Sequence, residues 1–108
     1  MHDKTRLEEK LKTLAKVAEL GGNDQIIEQT LTKLLAYAAD KHQRDLEDIT
    51  AKLQALEERF GMTSNLFAEK FQRGELGDDE VFFRWDALLE MQRRVAQRLA
   101  LLQADVSP

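Results

Sequence analysis

The sequence predicts an all-α protein of four helices, arranged as an antiparallel helical hairpin or bundle around one long central helix and dimeric. Three observations carry this. Glycine and proline are sparse, five and one in 108 residues, so long stretches run without a helix breaker. Apolar residues recur at alternating spacings of three and four, the period that lines one helix face. Nowhere does a β-branched, strand-like alternation persist, and Val81 to Trp85 is the one short run in which a strand is conceivable.

The first helix is expected over Thr5 to Leu20, with Leu7, Leu11, Leu14 and Ala18 on one face and Val17 and Leu20 widening it. Gly21-Gly22 supplies a left-handed end, after which Asn23 or Asp24 caps the next helix. From Asp24 to Phe60 no breaker intervenes, and two stripes follow a four-three-four rhythm: Ile27, Leu31, Leu34, Ala38, then Ile49, Leu53, Leu56, Phe60. Between them Ala38, His42, Leu46 and Ile49 step four, four, three, one residue more than a heptad, which rotates the stripe or unwinds it at His42. A rod of this length spans about 55 Å, whereas a compact chain of this size has a radius of gyration of roughly 13 Å. Either the segment bends near Asp40 to Gln43, or a second copy or another protein covers part of its stripe.

The third helix is short, Thr63 to Arg73. Thr63 or Ser64 caps it, Met62 and Phe67 take the positions of a hydrophobic staple if Thr63 is the cap, and Gly74 ends it. Leu76 is expected to fold back onto Phe67 and Phe71. The fourth helix opens at Asp78 or Asp79 and runs to about Gln103. Its stripe is Val81, Trp85, Leu88, Val95, Leu99 and Leu102, widened by Phe82, Leu89 and Ala96 and interrupted by Gln92. The second half of helix two pairs antiparallel with helix four. The chain therefore reads as one helical domain, 1–108, with 1–40 for dimerisation, 41–104 as the hairpin and 105–108 as a loose tail.

Composition narrows the chemistry. With no cysteine there is neither a disulfide nor a thiolate, which fits the reducing cytoplasm. No apolar run approaches the ~20 residues that span a bilayer, and Met1 to Lys16 is too charged for a secretory signal. A net charge of -4 argues against wholesale coating of nucleic acid. His2 lies near the terminus and His42 is a lone histidine on a helix, within reach of Asp45, so a structural role is the simpler reading. No metal, phosphate-loop or nucleophile motif is present, and neither a cofactor nor enzymatic activity is expected. Glu75, Asp78, Asp79 and Glu80 cluster where a helix N-terminus favours acids; a divalent cation is the alternative. Arg93, Arg94 and Arg98 complement the other helix end, with Arg94 four residues after Glu90; phosphate or nucleic-acid contact is the alternative.

All the aromatic residues but Tyr37 fall between Phe60 and Trp85. Phe82, Phe83 and Trp85 share one helical turn and cannot all point the same way. Val81 and Trp85 lie on the stripe, Phe82 borders it and Phe83 points away. Either helix three covers Phe83, or Phe83 is an exposed anchor for a partner.

From Leu56 to Leu102 the chain carries the helix break Phe-Gly-Met-Thr-Ser, then Gly-Glu-Leu-Gly-Asp-Asp from Gly74 to Asp79, then Phe82-Phe83-x-Trp85 and an amphipathic helix ending in Arg98-Leu99-Ala100-Leu101-Leu102. This stretch resembles a family of small helical bacterial proteins encoded beside TumE-type toxins. The resemblance implies an antitoxin of a type II toxin–antitoxin pair, which neutralises its cognate toxin by direct binding. On that reading Phe71, Leu76, Phe82, Phe83 and Trp85 are the partner-binding residues. Residues 1 to 40 match less well, and Thr5 to Lys12 has helical spacing in place of the inward-alternating strand of a ribbon-helix-helix. Two alternatives remain: a DNA-binding autorepressor using Arg93, Arg94 and Arg98, or Lys4, Arg6 and Lys10, and a self-assembling helical scaffold.

Overall fold

The computed structural model describes residues 3–22 and 24–106. It is all-α: α1 (Asp3–Glu19), α2 (Gln25–Phe60), α3 (Ser64–Gln72) and α4 (Glu80–Val106), with no strand among the described residues. The segment Val81 to Trp85 is helical. His2, Asn23 as the alternative cap, the Lys4 side chain, and Ser107 and Pro108 of the expected tail lie outside the described residues. Two compact units divide the chain, Met1–Leu34 and Leu35–Pro108.

In the first unit, α1 closes on hydrogen bonds from the Gly22 N–H to the Val17 carbonyl, 2.9 Å, and from the Gly21 N–H to the Ala18 carbonyl, 3.0 Å. This six-to-one and five-to-two pair satisfies carbonyls that the helix end orphans. The turn is tight enough that a Cβ at Gly22 would lie 2.5 Å from Val17 Cγ1. Asp24 is the cap of α2: its Oδ1 accepts the Ile27 N–H at 2.8 Å. Leu20 does not widen the α1 face; it sits in the turn beyond the helix, 89% exposed. The expected α1 stripe is helical but uncovered, for every described side chain from Arg6 to Leu20 is exposed.

α2 continues through Asp40 to Gln43 without a break in its helical structure, so the stripe rotates at His42 and does not unwind there. His42 is half-buried, and its Nδ1 lies 4.0 Å from Asp45 Oδ2, beyond hydrogen-bond reach. In the second unit the later α2 stripe packs against α4. Ile49, Leu53, Phe67, Trp85 and Val95 form the buried cluster, flanked by Leu46, Leu56, Phe60, Phe82, Leu88 and Leu89. Phe60 touches Phe82 and Trp85 near the start of α4, while Thr50 and Leu53 share a groove with Leu89 and Gln92 further along it. The two helices are therefore antiparallel, as their stripes require.

α3 is bounded by two local devices. Thr63 Oγ1 accepts the Leu66 N–H at 3.1 Å, and Met62 and Phe67 both join the core as a staple. At its other end Gly74 takes φ +71°, where an L side chain is strained, and the Glu75 N–H returns to the Lys70 carbonyl at 3.0 Å. α4 begins after Asp79, whose carbonyl accepts the Phe82 N–H at 3.0 Å. It extends past Gln103 to Val106, because no breaker precedes Pro108; residues 105 and 106 thus belong to the helix and not to a loose tail. Among the described residues no helix is long and apolar enough to cross a membrane.

Candidate functional site

The residues expected to meet a partner converge where α3 joins α4. Phe67 and Trp85 stack face to face, with ring centroids 4.1 Å apart and planes 5° from parallel. Phe71 also stacks on Phe67, at 5.3 Å, and Phe82 bridges to Phe60 at 5.4 Å and to Phe67 at 6.1 Å. Six aromatic rings thus form one contiguous array, with Phe83 as its outermost member. Arg59 adds a cation over the Phe60 ring, 4.9 Å from its centroid.

Burial sorts the five expected partner-binding residues. Trp85 is 0% exposed, so its assignment to the partner surface is corrected: it lies on the face that α2 and α3 cover. Its indole N–H donates to Ser64 Oγ at 3.0 Å, the bond a buried indole needs. The Ser64 backbone N–H in turn donates to Glu57 Oε2 at 2.8 Å, placing a carboxylate at the positive end of α3. This Glu57–Ser64–Trp85 chain joins three helices, and nothing in the sequence spacing announced it. Phe71, Leu76 and Phe82 are half-buried and pack against the core. Phe83 differs from all four: it is 54% exposed and meets the cluster only edge-on, its ring 5.3 Å from Phe71 at 84°. α3 therefore covers one edge of Phe83 through Phe71 and leaves the rest of the ring exposed.

Acidic side chains surround this corner. Glu75, Asp78, Asp79 and Glu80 are all exposed. Glu75 pairs with Arg73 at 3.1 Å, Glu80 pairs with Arg84 at 2.7 Å, and Asp79 Oδ1 lies 3.4 Å from the Val81 N–H. Glu80 stands three residues before Phe83 and so shares its side of α4. Among the described residues no group of three or more metal-ligating side chains is placed to hold an ion.

Along α4, the arginines are less free than their spacing suggests. Arg93 and Arg94 both bind Glu90, Arg94 through Nε at 3.0 Å. Hydrogen bonds from Arg93 and then Arg94 hold the Glu90 carboxyl below its ordinary range, and the same contact raises Arg93. Arg98 is exposed and has no ion pair among the described residues. Arg6 and Lys10 are exposed on α1. Met91, 49% exposed, and Leu66, 41% exposed, are surface apolar groups that the stripe pattern had not singled out. The chain matches no protein-family model, no curated protein sequence and no solved structure.

Proposed function

We propose that this protein is a cytoplasmic antitoxin that neutralises a cognate toxin by direct binding, with Phe83 as the anchor of the contact. The observation that carries the reading is Phe83 itself, a large aromatic left 54% exposed on an array whose other rings are covered or half-covered. Aromatic residues braced on one edge and open on the other suit a hot spot, because little conformational entropy remains to be lost on docking. The resemblance of Gly74 to Trp85 to the antitoxins encoded beside TumE-type toxins supplies the partner class. Asp78 and Asp79, exposed and, unlike Glu75 and Glu80, without an ion pair among the described residues, favour a partner surface that is basic. The autorepressor reading has less behind it, since Arg93 and Arg94 already share Glu90 and would have to give up those bonds to meet a phosphate.

The test is co-expression of the chain with the product of the adjacent gene. A stoichiometric complex is expected, and Phe83→Ala should weaken it at least about 10-fold while leaving the chain folded. Absence of a stoichiometric complex, or a complex indifferent to Phe83→Ala and to its acidic surround, sinks the proposal.

A further inference from the structure

The first unit presents an apolar surface that the function above does not use. Leu7, Leu11, Leu14 and Val17 of α1 are 37–59% exposed, and Ile26 and Leu34 of α2 are 75% and 56% exposed. The seam between α1 and the start of α2 is open on both sides. One side is a groove of about 390 Å³ that Leu11, Val17 and Leu31 help to line, and the other is a groove of about 210 Å³ between Leu14, Ile26, Thr30 and Leu34. Leu14, Ile27 and Leu31 line both, so the helices touch along a single ridge.

We infer that this hairpin is the seat of a second copy of the same chain, two hairpins closing about a two-fold axis into an intermolecular four-helix bundle. Three features select that occupant. The first is rhythm: Leu7, Leu11, Leu14, Ala18 and Ile27, Leu31, Leu34, Ala38 carry the same four-three-four spacing. The flanks of both helices therefore repeat at coiled-coil spacing, which a second hairpin turned about a two-fold axis can meet in register. The second is area. On the Leu14, Ile26 and Leu34 side alone, on the order of 300 Å² per copy stays in water, which two copies pairing face to face remove together as a contact at the small end of specific interfaces. The third is charge. Met1 to Leu34 holds six basic and six acidic side chains, so two copies of this unit meet without net repulsion, and the whole charge of -4 belongs to the rest of the chain.

Sedimentation equilibrium of the full chain at about 50 µM tests this. The expected mass is twice the 12.4 kDa of one chain. Leu14→Glu and Leu34→Glu should each raise the dissociation constant by about 100-fold or more, since each puts a charge in the middle of the seam. Leu101→Glu, at a 75% exposed position on α4, should change it by less than about threefold. The near-ultraviolet signal of Trp85 reports that the second unit stays folded in every variant. Because the chain has no cysteine, Leu34→Cys and Leu101→Cys give a conservative second readout: a short bis-maleimide should trap covalent dimers through the first and not the second. A single-chain mass at that concentration overturns the inference. So does a dimer that survives both glutamates, or one cross-linked through Leu101→Cys and not Leu34→Cys. A toxin that shields Leu34→Cys in a one-to-one complex, while the free chain is monomeric, also overturns it.

Discussion

Phe83 and Trp85 stand two residues apart on one helix, about 200° apart around its axis, and have opposite surroundings. Trp85 is fully enclosed, stacked on Phe67 and hydrogen-bonded to Ser64. Truncating it removes the largest side chain of the core and leaves a cavity between three helices. Trp85→Ala is therefore expected to cost about 3 kcal/mol or more in urea unfolding. Phe83 has one braced edge, so Phe83→Ala should cost under about 1 kcal/mol. An equal loss at both positions would show that Phe83 is core and remove it as an anchor. That the two point apart was readable from helical angles, because the period fixes which side chains share a face; which of them is enclosed was not, and Trp85 stood with Phe83 among the expected partner-binding residues. That Trp85 finds Ser64 was not readable, since the two are 21 residues apart and meet only once α3 has folded onto α4. The arginine pairing was half readable: Arg94 to Glu90 follows from a spacing of four, while Arg93 joins the same carboxylate from a spacing of three.

α3 shows what holds a short element in place. Nine residues are too few to form a stable helix alone, so its stability is borrowed from its ends and its packing. At the start Thr63 and Glu57 satisfy the Leu66 and Ser64 N–H groups. At the finish Gly74 holds the left-handed conformation that lets Glu75 reach back to Lys70. Space is not the constraint at Gly74, since an added Cβ would meet nothing within 4 Å. The cost of Gly74→Ala is thus conformational, and about 1 kcal/mol of stability is the expected loss in urea titration. A neutral or stabilising result would mean that the turn relaxes out of its left-handed state. Such devices were legible because capping is local chemistry: Asp24, Thr63 and Gly74 each act within a few residues of their own position. The fate of α1 was less so. Its stripe reads like that of α4, yet the α4 stripe is covered and the described side chains of α1 from Arg6 onward are exposed, because spacing identifies a face without naming what meets it.

At the scale of the molecule, charge and apolar surface are divided between the two units. The first is neutral, and the remaining ten basic and fourteen acidic side chains place the net charge of -4 in Leu35–Pro108. The two proposed interactions should therefore respond to salt in opposite ways. An encounter steered by acidic groups weakens as the Debye length contracts from about 14 Å at 0.05 M to roughly 4 Å at 0.5 M salt. Association with the toxin should slow by about 10-fold or more over that range, read by stopped-flow mixing. Self-association through Leu14 and Leu34 draws on apolar burial, which salt does not screen and which sulfate strengthens by being excluded from the surface. The dimer constant should stay within about threefold over the same range of sodium chloride, and tighten in sodium sulfate. Toxin association indifferent to salt would remove the acidic corner from the encounter. A dimer that dissociates as sodium chloride rises would mean that ion pairs, and not the leucine seam, hold the two chains together.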